Sequence, residues 1–196
     1  MISVSPELLA GAEDDVKALN RIHKRYWEEP RYQILKKFCQ AKRDTKRDTK
    51  RDGGLNILSV GCGPREPILI NANHACDITP LSKTFLEANG WEGCFTLAEC
   101  TKLPYQSKFF DIVVCSEVIE HLPDLKDVIK TFKEVARCGK KWIIDTPNSD
   151  IISPKAQNKH HKLFFTKKSL KSLLSGIKHL NYSIYAHDHH LYVESY

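Results

Sequence analysis

The chain has 196 residues, enough for one domain of ordinary size with a small appendage and too few for a two-domain enzyme. Its 41% hydrophobic and 28% charged residues, with 3 Trp, 7 Tyr and 8 Phe, can build a core, which excludes a disordered or fibrous chain. The formal net charge of +6 is uneven: Lys plus Arg stand 13 to 9 against Asp plus Glu over residues 1–52, 10 to 12 over 53–149 and 7 to 3 over 150–196, so basic ends flank a slightly acidic centre in a layout open to an anionic partner.

No apolar run reaches the roughly 18 to 20 residues of a membrane span, and Met1 to Pro6 lacks the basic and hydrophobic pattern of an export signal. The expectation is a cytoplasmic protein. Its seven cysteines, an odd number without a CxxC pair and mostly inside apolar runs, suit buried reduced thiols better than a disulfide or zinc framework.

Along the chain, Ser5-Pro6-Glu7 predicts a helix start, followed by helical apolar spacing at Leu8, Leu9, Val16, Leu19 and Ile22. A second helix begins near Pro30 and carries Tyr32, Ile34, Leu35 and Phe38. The internal repeat Arg43 to Asp52, apolar-free and charge-balanced, reads as a solvated linker closed by Gly53-Gly54, with an RNA-contacting arm as the alternative. Residues 1–52 are therefore expected to be lid-like helices plus a linker, and 53–196 the main domain. From Leu55 the pattern alternates. Strands are predicted at Leu55–Val60, Ala72–Cys76, Phe95–Leu97, Phe110–Ser116 and Trp142–Asp145, with helices at Pro80–Asn89, Asp124–Arg137 and from Thr166 to Leu174. Tyr182 to Val193 then reads as a hairpin around His187-Asp188-His189-His190. Strand and helix in alternation, closed by a hairpin, predict a doubly wound α/β fold with a parallel sheet and one antiparallel edge.

In such a sheet the ligand lies beyond the carboxyl ends of the strands. The first strand ends at Gly61-Cys62-Gly63, where backbone can approach a ligand closely. A dinucleotide fingerprint would want a third glycine near position 66, which is Glu66, and the interval from Gly63 to Asp77 leaves little room for a crossover helix, so an NAD-type site is disfavoured. Asp77 ends the second strand and Glu99 the third. Acids at two successive strand ends suit a nucleoside, one for ribose hydroxyls and one for an adenine amine.

These segments resemble the class I S-adenosylmethionine-dependent methyltransferases over roughly residues 55–175. The resemblance is carried by Val60-Gly61-Cys62-Gly63, Cys76-Asp77-Ile78-Thr79-Pro80, Leu103-Pro104-Tyr105 leading to Phe110-Asp111-Ile112-Val113-Val114, Ser116 to Leu122, and Thr146-Pro147-Asn148. It implies a Rossmann-like sheet of about seven strands with helices on both faces and S-adenosylmethionine as cofactor. Gly61, Cys62 and Gly63 would face its methionyl part, Asp77 and Ile78 its ribose, Glu99 and Cys100 its adenine, and Ser116 and Glu117 the transferred methyl. The chain departs from the family at Ser59, where an acid is usual, and at Arg65, where a small residue is usual. The first weakens anchoring of the methionyl amine or of the loop, and the second either sets a cation near the methionyl carboxylate or points into solvent.

Methyl transfer needs alignment, desolvation and, for an OH or NH nucleophile, a base. Glu117 and His121, after the fourth strand, are the candidates. The preferred acceptor is a small molecule attacked at O, N or C, with no metal. An RNA alternative rests on a second resemblance, to small-RNA 3′-terminal 2′-O-methyltransferases, whose Glu-x-x-Glu-His motif and later His bind a divalent metal. Glu117, Glu120, His121 and His161 match them. Such a site requires the loop after the fifth strand to fold back over the loop after the fourth. A non-catalytic cofactor-binding module is the third alternative, kept open by Ser59 and Arg65.

Overall fold

A computed structural model describes residues 5–21, 29–40 and 54–196. Ile22, Tyr26, Trp27 and the 43–52 repeat lie outside the described residues. Helix α1 (Pro6–Arg21) starts where Ser5 Oγ accepts from the Leu8 amide at 3.2 Å. Helix α2 (Pro30–Gln40) buries Arg31, Tyr32, Leu35 and Cys39. The remaining elements are β1 (Ile57–Val60), α3 (Glu66–Ile70), β2 (His74–Asp77), α4 (Pro80–Ala88), β3 (Cys94–Leu97), β4 (Phe110–Ser116), α5 (Leu125–Cys138), β5 (Gly139–Pro147), α6 (Lys167–Ser175), β6 (Tyr182–His187) and β7 (His190–Ser195).

The described strands form one seven-stranded sheet in the order β3-β2-β1-β4-β5-β7-β6. All neighbours are parallel until β7, which runs antiparallel to both β5 and β6. This is the doubly wound arrangement expected from the sequence. The order reverses between β1 and β4, which sets the ligand crevice at their carboxyl ends.

Alternate strand residues serve opposite faces, as the two-residue repeat of a strand requires. Ile57, Ile112, Val114, Ile143 and Tyr192 join Tyr32, Leu35 and Cys39 of α2 in one cluster. Leu58, Val60, Val113, Cys115, Ile144 and Val193 join Val128, Phe132, Val135, Leu170 and Leu174 of α5 and α6 in another. Helix α2 thus shares the core of the sheet although it precedes the charged repeat.

Most elements differ from the predicted bounds by a residue or two, and for β5 and β2 the reason is physical. β5 is longer than Trp142–Asp145 because pairing with β7 continues from Ile143↔Glu194 to Pro147↔His190. β2 begins at His74 rather than Ala72, because α3 runs to Ile70 and is capped by Asn71, whose φ of 53° turns the chain out of the helix. The helix is only 5 residues long, as the short interval before Asp77 demands.

Candidate active site

The turn after β1 is built for close approach. Gly61 has φ 63° and Gly63 φ 53°, and a Cβ on Gly61 would sit 2.3 Å from Val118 Cγ2. Only glycine meets both demands there. Asp77 clamps the turn from β2: its carboxylate accepts from the Gly63 amide at 3.0 Å and from the Thr79 amide at 3.2 Å. Burial raises the Asp77 pKa, and these amides act against that shift.

A cleft of about 1130 Å³ opens over the turn. Gly61, Gly63, Asp77, Ile78, Glu99, Cys100, Glu117 and His121 all line it, so the structure brings eight of the ten sequence-predicted site residues together. Cys62 and Ser116 instead line a small cavity of about 60 Å³ beside it. The Cys62 side chain turns into the apolar cluster of Ala75 and Leu86. Helix α1 contributes Leu8, Gly11, Asp15 and Val16 to the wall of the cleft, and the loop between β5 and α6 contributes Asn158, His160 and His161.

Glu117 stands at the mouth of both spaces with φ 55°. Its Oε2 is 3.3 Å from Arg31 Nη1 of α2 and its Oε1 is 3.1 Å from His190 Nε2 of β7. Burial alone would raise its pKa, but the Arg31 guanidinium and His190 outweigh it and hold the carboxyl at about 2. Glu117 is therefore a fixed negative charge. His190 gains from the same pair, which raises its pKa against the effect of burial.

His121 differs. Burial lowers its pKa, opposed by Asp15, whose Oδ2 lies 3.6 Å from Nδ1. It is neutral at physiological pH and can take a proton. His161 stands edge to face with it, ring centroids 4.7 Å apart; burial and the neighbouring His121 push His161 down to about 4. Glu120, buried, accepts from Thr146 Oγ1 at 2.8 Å and lies 4.0 Å from both imidazoles. Ligand atoms of Glu120, His121 and His161 all fall within 4.8 Å of one another. The loop after β5 is held there because the Lys162 and Leu163 amides donate to the Glu120 carbonyl at 2.8 and 3.0 Å.

Arg31, Asp15, Asp145 and His190 were missed by motif reading. Arg31 and Asp15 lie in the N-terminal helices, far in sequence from the strand ends; His190 lies in a hairpin corner that reads as solvent-facing. The one available signal was Asp145 at the end of the fifth strand. It is buried within 4.8 Å of Glu117 and His190, and burial pushes it up to about 6.

Residues 58–144 match the family described as a methyltransferase domain. That match and the folds below are those of S-adenosylmethionine-dependent methyltransferases of class I. No curated protein sequence matches it significantly. Among solved structures, the chain is similar to an S-adenosylmethionine-dependent methyltransferase of Thermotoga maritima described as a possible histamine N-methyltransferase (12% identity, 95% of this chain and 98% of that one, TM-score 0.68). It is similar to magnesium protoporphyrin IX methyltransferase of Synechocystis PCC 6803 with bound S-adenosylmethionine (12%, 100% and 100%, 0.65). It is also similar to the small RNA methyltransferase HEN1 (17%, 88% of this chain and 25% of that one, 0.63). At these identities the likeness is one of fold.

The residues present fit S-adenosylmethionine. Gly61 in the turn has no room for a Cβ, and Asp77 and Glu99 both line the cleft above it.

Proposed function

We propose that this methyltransferase moves the methyl group of S-adenosylmethionine to a nucleophilic atom of a small-molecule acceptor, with His121 as proton acceptor where the nucleophile is a hydroxyl or amine. Bound S-adenosylmethionine supplies an electrophilic methyl on a sulfonium, displaced in line. Gly61, Gly63, Asp77 and Ile78 would hold its methionyl and ribose parts, and Glu99 and Cys100 its adenine. Glu117, ionised and pinned between Arg31 and His190, is a poor base; its fixed charge favours a cation nearby and costs no rearrangement during transfer. Neutral His121 takes the proton that the nucleophile loses. Helix α1 and the 148–166 loop act as a lid and wall that exclude water. The acceptor reading draws on the size of the cleft, about 1130 Å³, which suits a cofactor and a compact second ligand. The free thiols of Cys62, Cys76, Cys94, Cys100, Cys115 and Cys138 are compatible with a reducing, cytoplasmic setting.

The observation that carries this reading is the convergence of Gly61, Gly63, Asp77, Glu99 and His121 on one cleft. Its test is incorporation of labelled methyl from S-adenosylmethionine across a panel of small hydroxylated and amine acceptors. His121→Ala is expected to lose transfer while keeping affinity for S-adenosylhomocysteine; unchanged transfer would remove His121 from the chemistry.

A second reading, metal-dependent methylation of an RNA 3′-terminal 2′-hydroxyl, is favoured by the meeting of Glu120, His121 and His161. Carboxylate and imidazole ligands suit Mg²⁺ or Mn²⁺. Glu117, bound to Arg31 and His190, would have to leave both to join them.

A further inference from the structure

The small cavity beside the cleft has an unusual charge pattern. Its lining includes two cations, Arg31 and Arg65, and two carboxylates, Glu66 and Glu117, together with Gly61 and Gly63, which also line the large cleft. Two basic and two acidic side chains around one space can complement a zwitterion, such as the amino-acid end of a ligand whose remainder lies in the cleft. Glu66 is the unexpected member. It belongs to α3, not to a strand, and is only 6% exposed. Its Oε1 accepts from Ser59 Oγ at 2.7 Å. Ser59 is the β1 position at which the sequence lacks the acid its family resemblance calls for. The hydroxyl and the carboxyl are thus in direct contact, with the acid moved from strand to helix.

We propose that Glu66 supplies from α3 the carboxylate that β1 lacks at Ser59, and that it recognises the α-ammonium of the methionyl group in the small cavity. A carboxylate this buried is costly without a charged partner, and an ammonium is the partner that a hydroxyl donor cannot replace. Arg31 faces the same cavity and matches the methionyl carboxylate, so the two ends of the zwitterion are told apart by position. The inference concerns cofactor selection and holds whichever acceptor is methylated.

A proton is linked to the event. The charged and titratable groups around Glu66 are Arg31 of α2, Asp145 of β5, and the thiols of Cys62 and Cys115. Burial pushes Glu66 up to about 8, with Asp145 adding to the rise and Ser59 and Arg31 opposing it. Near pH 7 the cofactor-free protein therefore holds Glu66 largely protonated. An arriving ammonium favours the ionised form, and the proton leaves to solvent.

The test compares S-adenosylhomocysteine with 5′-methylthioadenosine, which lacks the amino-acid end, by titration calorimetry. Glu66→Gln is expected to weaken S-adenosylhomocysteine at least tenfold and leave 5′-methylthioadenosine unchanged. Ser59→Asp in the Glu66→Gln background, which returns a carboxylate to β1, is expected to restore most of the loss. Wild-type binding of S-adenosylhomocysteine near pH 7, measured in two buffers of different ionisation enthalpy, is expected to release part of a proton, a readout that needs no variant. Equal losses for both ligands, no loss, or no proton release in the wild type would overturn the role of Glu66. Failure of the wild type to bind either ligand would overturn the cofactor assignment itself.

Discussion

His121 and His161, separated by 40 positions in the chain, stand with their rings perpendicular and their centroids 4.7 Å apart. The contact exists because the loop after β5 hydrogen-bonds back to the Glu120 carbonyl. It places two neutral imidazoles and one buried carboxyl around one point. Two different chemistries then compete for these groups. As a base and its packing partners they need no ion; as ligands they need one.

Thermal melts with added Mn²⁺ or Mg²⁺ separate the two. An ion that binds only the folded state raises the melting temperature with concentration. For the small-molecule reading the expected outcome is no shift. A Mn²⁺-dependent rise that disappears in Glu120→Ala would move the assignment to the metal-dependent RNA reading.

Asp77 meets the Gly63 and Thr79 amides with its own carboxylate and borders the cleft. Asp77→Ala is expected to weaken S-adenosylhomocysteine by about 1 to 3 kcal/mol through lost hydrogen bonds. Part of any loss comes from relaxation of the glycine turn. The neighbouring Asp77→Asn, which keeps the size and one acceptor, should fall between Ala and wild type in the same calorimetric titration.

At Gly61 two penalties coincide, a left-handed backbone and a Cβ position 2.3 Å from Val118. Gly61→Ala is expected to destabilise the fold by about 1 to 3 kcal/mol and to lower cofactor affinity, because the turn is where backbone meets ligand. Combining it with Val118→Ala, which removes the clashing methyl, should recover part of the melting temperature but not the share due to φ.

Glu66 also predicts a pH dependence of stability. Its pKa is raised from 4.5 in the unfolded chain to about 8 in the fold. The folded state thus binds more protons between these values, and its stability falls as pH rises from 4.5 through 8. Glu66→Gln has no such proton to lose. The difference in unfolding free energy between variant and wild type should therefore move in favour of the variant across that window, read by denaturant melts at several pH values. A constant difference would mean that Glu66 is ionised throughout.

Much of this enzyme is written locally. The strand at Phe110–Ser116, the glycine turn at 61–63, Asp77 at the end of β2 and Glu99 after β3 depend on short-range apolar runs and turn residues, so the doubly wound fold and the cofactor half of the cleft are legible from sequence alone. Other features depend on chain segments far apart meeting in space. Arg31 reaches Glu117 because α2 packs its Tyr32 and Leu35 face on the sheet. His190 reaches it because β7 slots between β5 and β6 instead of lying at the edge. Those two contacts change Glu117 from a candidate base into a held charge. Glu66 meets Ser59 only because α3 is cut to 5 residues and turns its first residue inward. Local pattern decides which residues stand at the strand ends; the long-range packing of α2, β7 and the 148–166 loop decides which of them are paired, which are neutral, and so what each can do.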